Sequence, residues 1–273
     1  MRLTEVVEQV LPSVVALGSR LVPSKSETAP LFPLIFGTGF VVDRRGIVAT
    51  NHHVWEELEK IPPPARLAIL FPPPQQHKDG SLVGILLRGI RSVALLGEFR
   101  PRQPYYGPEL PDIAFLQIDV CDLPCLELNR KPNLLRAGEG VATAGFPLGQ
   151  MPLTLHQKIT QISPFVRSGI ISSVYPAPSP YPDGFTMDIT IQGGTSGSPV
   201  FLSESGLVVR MIYALVVDAP NIALAVPSNM IAIGLESALS KGSPDLKDVP
   251  TWQSLLDSPG ELTLAWDSLG DHR

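Results

Sequence analysis

The residues best suited to chemistry lie in the glycine- and serine-rich segment Gly193–Pro199, between two apolar runs. Small residues on both sides of Ser196 let the backbone turn sharply and leave its hydroxyl accessible. Successive N–H groups in such a turn point into one small space, as an oxyanion hole requires. Gly194 and Ser196 are the natural N–H donors, with Thr195 between them in the same predicted hole. The composition is also typical of an ordinary hairpin loop.

A serine hydroxyl becomes a good nucleophile only beside a base. The chain has five histidines. His52 and His53 follow an apolar run and precede a predicted helical turn, whereas the other three lie in polar loops or in the tail. Those three are His77, His156 and His272. The residue types alone leave His52 and His53 as alternatives.

A histidine base needs an acceptor for its second ring nitrogen, which fixes the tautomer and stabilises the imidazolium. Asp112 stands at the start of the apolar run 113–118. A carboxylate at that position can be partly buried and still face a cleft. Asp119, at the other end of the run, is the weaker alternative, and an Asp in this place is also typical of an ordinary strand start.

Short apolar runs rich in β-branched residues, separated by turn residues, recur along the chain and predict many short strands in a barrel or sandwich. The turn Asp43–Gly46 predicts a hairpin between two of the runs. Helices are predicted only over 4–10, 54–59 and 228–240. The predicted strands cover 13–21, 35–42, 46–50, 66–71, 82–87, 93–99, 113–118, 140–144, 165–174, 185–191, 199–202, 207–217 and 222–226.

Seven motifs, in order, resemble the HtrA/Deg branch of the chymotrypsin-like serine peptidases. They are Gly37–Val42, Thr50–Val54, Asp112–Leu116, Gly145–Gly149, Ser168–Ile171, Gly194–Pro199 and Ala225–Asn229. The resemblance implies an all-β fold, a chymotrypsin-like double six-stranded β-barrel with short N-terminal and C-terminal helices. It selects His53 over His52, because the catalytic histidine of the family precedes Val. His53, Asp112 and Ser196 then form a triad that hydrolyses peptide bonds through an acyl-enzyme.

The resemblance also places a primary substrate pocket just before the nucleophile and on a later strand. None of its residues is charged, so we expect cleavage after small or medium apolar residues. The alternative function is a weakly active or resting peptide-binding, chaperone-like protein on the same fold. The predicted pocket residues are Thr190, Ile191, Gln192, Ile222, Ala223, Leu224 and Ala225.

Three features depart from the family pattern. Thr195 stands where digestive members carry an Asp that pairs with a new N-terminus, so we expect no activation cleavage. Ser198 replaces the usual Gly. The separation of His53 from Asp112 is long and contains two proline-rich loops, which we expect near the cleft.

Composition excludes several classes of partner. A net charge of -5 and a pI near 5.5 give no reason to expect nucleic acid binding. Cys121 and Cys125 alone do not make a zinc site, so no metal or cofactor is predicted. We expect both to be free thiols, with a disulfide between them as the weaker alternative. We expect protein or peptide substrates. The chain is also expected to form a homo-oligomer, since trimers are common in the family it resembles.

The domain prediction is a peptidase domain over 1–242, with its two barrels divided near 125–135, and a polar tail over 243–273. That tail is too short for a PDZ domain. The longest apolar stretch, 207–217, is too short to span a bilayer. Because the first residues do not read as a signal peptide, the sequence predicts a cytoplasmic protein.

Overall fold

The computed structural model describes most of the region that carries the motifs. The predicted tail 243–273 and the proline-rich segments 101–111 and 176–182 lie outside the described residues. The described residues are 1–19, 34–62, 65–71, 86–95, 112–131, 135–147, 149, 163–175, 184–216 and 219–240.

Twelve strands and three α-helices form within these residues. The helices are α1 (Leu3–Val10), α2 (His52–Glu59) and α3 (Ser228–Ser240). The first six strands are β1 (Val14–Ser19), β2 (Leu34–Asp43), β3 (Ile47–Thr50), β4 (Arg66–Leu70), β5 (Leu86–Leu95) and β6 (Ala114–Ile118). The last six are β7 (Gly140–Gly145), β8 (Phe165–Tyr175), β9 (Gly184–Met187), β10 (Pro199–Leu202), β11 (Val208–Val216) and β12 (Ala219–Pro227).

Strands β1 to β6 close into an antiparallel barrel in the order β1-β2-β3-β6-β5-β4. The predicted hairpin between β2 and β3 is confirmed, and its turn ends at Gly46, whose φ is 81°. A Cβ on Gly46 would lie 2.0 Å from the Val120 carbonyl oxygen, so both the backbone angle and the space require glycine.

Strands β7 to β12 form a second six-stranded sheet in the order β12-β11-β10-β7-β8-β9. Its edge strands β9 and β12 also approach each other, so the sheet curls into a second barrel-like unit. The predicted all-β double barrel with short terminal helices is therefore confirmed. Residues 119–131 follow the first unit and residues 135–139 precede the second, while the division near 125–135 stays a prediction.

Strand β1 shows why the apolar runs are continuous rather than alternating. All six of its residues are buried, because its two faces serve different clusters. Val15 and Leu17 pack inside the first barrel, whereas Val14 and Ala16 pack in a cluster shared with α1, the second sheet and α3. Side chains alternate across a strand, so a strand between two cores is apolar on both faces.

Strand β5 differs from its sequence prediction. The sequence predicts two separate runs, 82–87 and 93–99, whereas the structure has one strand, Leu86–Leu95, hydrogen bonded to both β4 and β6. The polar residues that interrupt the apolar pattern lie where solvent reaches the strand. Arg91, for example, pairs with Asp119 at the barrel surface.

Candidate active site

The first barrel brings His53 and Asp112 together. Strands β3 and β6 are antiparallel neighbours with Thr50 opposite Ala114, so the chain leaving β3 and the chain entering β6 meet at one end of the barrel. His53 follows β3 in the first turn of α2, and Asp112 precedes β6. The pairing register of β3 with β6 therefore brings His53 and Asp112 together.

Two hydrogen bonds join the Asp112 carboxylate to His53. Its Oδ2 lies 2.6 Å from His53 Nδ1, and its Oδ1 accepts the His53 backbone N–H at 3.0 Å. A carboxylate only accepts, so Nδ1 carries the hydrogen and Nε2 is left as the basic nitrogen. The second bond also satisfies one of the unpaired N–H groups at the start of α2.

Asn51 adds a third link on this side, since its side-chain Nδ2 donates to the Asp112 backbone oxygen at 2.8 Å. The His53 side chain remains 43% exposed, whereas that of Asp112 is only 18% exposed. The imidazole is thus accessible from solvent, and the carboxylate that orients it is shielded.

The segment around Ser196 forms a tight turn between β9 and β10. Gly194 and Gly197 have φ angles of 90° and 84°. A Cβ on Gly197 would lie 1.9 Å from the Thr38 carbonyl oxygen, so no side chain fits there. The turn therefore packs directly on β2, the strand that leads to β3 and α2.

Contacts with the first barrel place Ser196 beside α2. The Thr38 N–H donates to the Ser196 carbonyl at 2.8 Å. A Cβ on Gly37 would meet the Val54 side chain at 2.7 Å and the Ser196 carbonyl at 3.3 Å. The glycine thus lies between the nucleophile turn and the residue that follows His53.

Both predicted oxyanion donors, the N–H groups of Gly194 and Ser196, are without an acceptor in the described part of the chain. The Thr195 N–H, by contrast, donates to the Gln192 carbonyl at 3.2 Å, and the Thr195 hydroxyl donates to the same oxygen at 2.6 Å. Of the three residues predicted for the oxyanion hole, only Gly194 and Ser196 thus offer a free donor.

The predicted pocket residues fall into two groups. Thr190 and Gln192 are exposed, and Leu224 and Ala225 are partly exposed. Ile191 and Ala223 are buried in the core of the second barrel, at 2% and 0% exposure, so their side chains pack inward. For Ile222 only the backbone, in β12, is described.

Arg167 of β8 contacts the same segment, because its guanidinium donates to the Thr190 carbonyl and, at 3.1 Å, to the Gln192 side chain.

Two residues near the site have no strong signal in the sequence. Thr38 lies 156 positions before the Gly194 carbonyl that its hydroxyl contacts. Tyr213 follows Ile212, which exchanges hydrogen bonds with Gly197 and Ser198 and so runs beside the nucleophile turn. Burial, and then the negative charge of Asp112, raise the pKa of the Tyr213 phenol. Only the strand pairing reveals that β11 borders the site.

Other groups in the described part of the chain give no sign of a metal site, since no three His, Cys, Asp or Glu residues are grouped to bind an ion. Cys121 and Cys125 are free thiols. No α-helix among the described residues has the length and apolar character needed to cross a membrane.

The fold and this arrangement define a peptidase of the double-barrel class. Residues 37–209 match the family described as trypsin-like peptidase domain, and the chain belongs to that family. The match includes most strands of the first barrel, the second sheet as far as the start of β11, and the segments that carry His53, Asp112 and Ser196.

A curated relative supports the same branch. It is named a probable periplasmic serine endoprotease DegP-like, from Pseudomonas fluorescens, and is 27% identical over 212 residues. The match covers 76% of this chain and 35% of the relative, so the chain spans about a third of that protein's length.

Solved structures show the same fold. The HtrA-type protease AlgW with a decapeptide has a TM-score of 0.57 at 19% identity, covering 88% of this chain and 67% of that one. Deg5 has a TM-score of 0.53 at 20% identity, and the match covers 84% of this chain and 90% of that one. The sequence-based resemblance to HtrA-like, trypsin-like serine endopeptidases, which are hydrolases, is thus confirmed at the level of the family.

The predicted cytoplasmic location is wrong. The curated relative is named a periplasmic protease, which points to the cell envelope. The prediction depended on the first residues of the sequence, and these carry no physical signal of the compartment in which a folded peptidase domain works.

Proposed function

We propose that the chain is a serine endopeptidase that hydrolyses peptide bonds in proteins or peptides, with His53, Asp112 and Ser196 as its triad. The observation that carries the proposal is the two-point hydrogen bond between Asp112 and His53. It fixes the imidazole with Nδ1 protonated and Nε2 available as a base. Few structural roles require a shielded carboxylate to orient an exposed imidazole in this way.

In the proposed mechanism His53 Nε2 takes the proton of the Ser196 hydroxyl as its oxygen attacks the scissile carbonyl. The negative charge that develops on the substrate oxygen is stabilised by the N–H groups of Gly194 and Ser196. His53 then protonates the leaving amine, and water releases the acyl group in the second half of the reaction. Asp112 stabilises the imidazolium in both halves. No metal or cofactor takes part in these steps.

The proposed specificity is for small or medium apolar residues before the cleaved bond. The exposed residues of the predicted pocket, Thr190 and Gln192, are uncharged, and a basic side chain would find no carboxylate there. The Arg167 guanidinium adds a positive charge beside the same segment. We expect a peptide library to show cleavage after Val, Ala, Leu or Thr; a preference for Arg or Lys would contradict this specificity.

The triad is tested with a fluorophosphonate probe, which reacts with an activated serine. We expect the wild-type protein to be labelled, and Ser196→Ala and His53→Ala to lose labelling. His52→Ala is the matched control, because it removes the neighbouring imidazole, and it should keep labelling near the wild-type rate. Labelling that persists in Ser196→Ala, or is lost in His52→Ala but not in His53→Ala, would contradict the assignment. An unlabelled but folded wild type would favour the peptide-binding alternative.

The organisation of the chain is proposed as residues 1–242 for the peptidase domain and 243–273 for a polar tail. A homo-oligomer, with the trimer as the first form to test, completes the proposal. Native mass spectrometry of the full chain gives the number of copies directly.

A further inference from the structure

Three successive carbonyl groups of the nucleophile turn are held by hydrogen bonds. The Gly194 carbonyl accepts from the Thr38 hydroxyl at 2.9 Å, the Thr195 carbonyl from the Ser198 N–H at 2.9 Å, and the Ser196 carbonyl from the Thr38 N–H at 2.8 Å. A planar trans peptide directs its N–H opposite to its C=O. Each of these carbonyls shares its peptide plane with the N–H of the next residue. Holding them therefore fixes the directions of the Thr195, Ser196 and Gly197 N–H groups, and the Ser196 N–H is one of the two predicted oxyanion donors.

Thr38 is the centre of this arrangement. Its hydroxyl accepts the Phe146 N–H at 3.1 Å while donating to Gly194, and its own carbonyl accepts from the Thr50 hydroxyl at 2.7 Å. Thr38 and Thr50 are both fully buried. Since Thr38 lies in β2, it connects the first barrel to the nucleophile turn through two of its own atoms, the hydroxyl oxygen and the backbone nitrogen.

Thr195 fixes the other end of the turn. Its hydroxyl and its N–H both donate to the Gln192 carbonyl, at 2.6 and 3.2 Å. The side chain is only 6% exposed, so these bonds are shielded from competing water. The bond from the Thr195 N–H to the Gln192 carbonyl closes a four-residue turn whose central peptide carries the Gly194 N–H. Thr195 thus restrains the direction of this second predicted oxyanion donor.

These contacts account for an oxyanion turn that has no carboxylate at position 195 to hold it. We propose that Thr38 and Thr195 are positioning residues whose hydroxyls keep the Gly194 and Ser196 N–H groups aimed at the substrate oxygen before any substrate binds. The inference rests on the proposed function, because it concerns the regulation of the same oxyanion hole. It predicts a hole assembled at rest, without proteolytic activation.

The test is removal of each hydroxyl by a substitution of similar shape, Thr38→Val and Thr195→Val. Displaced oxyanion donors act on the transition state, so we expect the labelling rate with a fluorophosphonate and kcat for a peptide to fall about tenfold to a hundredfold. KM should change little, about twofold at most, since neither substitution replaces a predicted pocket residue. Thr38→Ser and Thr195→Ser retain the hydroxyl and should restore most of the rate.

The matched control is Thr143→Val in β7. Thr143 is 3% exposed and its hydroxyl has no hydrogen-bond partner in the described part of the chain. The same change of side chain at an equally buried site should leave labelling near the wild-type rate. Rates are measured well below the melting temperature of each variant, with the folded fraction determined by circular dichroism.

Each outcome decides the inference. Valine variants that are folded and labelled as fast as the wild type would overturn it, as would serine variants that fail to restore the rate. If Thr38→Val does not fold, Thr195→Val carries the test alone, because the hydrogen bonds of Thr195 among the described residues stay within the segment 192–198. Failure of the proposed function looks different: the wild type itself would then not be labelled.

Discussion

The two sides of the candidate site are held by different means. On one side, His53 and Asp112 belong to segments that β3 and β6 bring to the same end of a closed barrel. On the other side, Ser196 lies in a turn outside any strand, and the bonds that hold this turn come from Thr38, Thr195 and Ser198. The first side depends on strand register, and the second depends on a few individual hydrogen bonds.

Substitutions on the two sides should therefore affect different properties, stability on the barrel side and activity on the turn side. Damage to the barrel side should reduce the free energy of unfolding of the whole unit, because a closed hydrogen-bonded barrel is cooperative. Damage to the turn side should reduce activity even in molecules that remain folded, since an oxyanion hole tolerates little displacement of its donors. Matched substitutions on the two sides test this contrast.

The largest effects are expected from alanine at two glycines that share the same constraints. Gly46 and Gly197 have φ angles of 81° and 84°, and a Cβ on each would lie 2.0 and 1.9 Å from a backbone carbonyl oxygen. Both Gly46→Ala and Gly197→Ala should therefore lower the free energy of unfolding in a urea titration. Only Gly197→Ala should also abolish fluorophosphonate labelling of the folded molecules.

Gly138→Ala is the control for backbone strain alone. Gly138 has a φ of 92°, but no atom of the described residues lies within 4 Å of the position a Cβ would take. We expect it to cost about 1–2 kcal/mol, less than either of the other two. The contrast between the barrel side and the turn side would be contradicted if folded molecules of Gly46→Ala lost fluorophosphonate labelling as completely as those of Gly197→Ala.

A smaller effect is expected from pH on the barrel side. The Arg45 side chain, hydrogen bonded to Asp43 at 2.8 Å, holds the pKa of that carboxyl below its ordinary value of 3.8. A carboxyl with a lowered pKa in the folded state contributes stability that is present above pH 3.8 and lost as pH falls through the folded value. The loss should be under about 1 kcal/mol, because the Arg45 side chain is partly exposed.

Urea titrations at pH 5 and pH 3, in the Ser196→Ala background to prevent self-cleavage, measure this loss. Asp43→Asn should make stability less dependent on pH over that interval. An unchanged dependence would show that the Asp43 pair does not stabilise the turn between β2 and β3.

The smallest effect is expected at Ser198. Its hydroxyl is fully buried and has no hydrogen-bond partner in the described part of the chain, whereas its backbone N–H holds the turn. Ser198→Ala removes only the unpaired hydroxyl and should stabilise the protein by about 1 kcal/mol. Differential scanning calorimetry should therefore show a melting temperature raised by about 2–4 °C. A lower melting temperature would mean that the hydroxyl makes a stabilising contact.

Much of the barrel side could be predicted from the sequence. Apolar runs locate most strands, and the turn that ends at Gly46 predicts the β2–β3 hairpin. The pairing of β3 with β6 has no local signal, because long segments separate them. The residue types favour Asp112 over Asp119 as the acceptor, and only the resemblance selects His53 over His52 as its partner.

On the turn side, the sequence predicts a sharp turn from its composition but not the hydrogen bonds that hold that turn. Glycines and serines around Ser196 indicate a sharp turn, but the hydroxyl of Thr38 reaches it from a distant strand. The resemblance also did not separate the predicted pocket from the core. Ile191 and Ala223 were predicted to line the pocket, yet both are buried in the core of the second barrel.

The contact between Gly145 and Ser198 limits the order in which these two positions can change during evolution. A Cβ on Gly145 would lie 2.0 Å from the Ser198 hydroxyl oxygen and 2.9 Å from that of Thr38. A lineage that acquires a larger residue at position 145 must therefore also move or replace both hydroxyls. Since Thr38 holds the nucleophile turn, we expect glycine to persist at position 145 wherever Thr38 is kept.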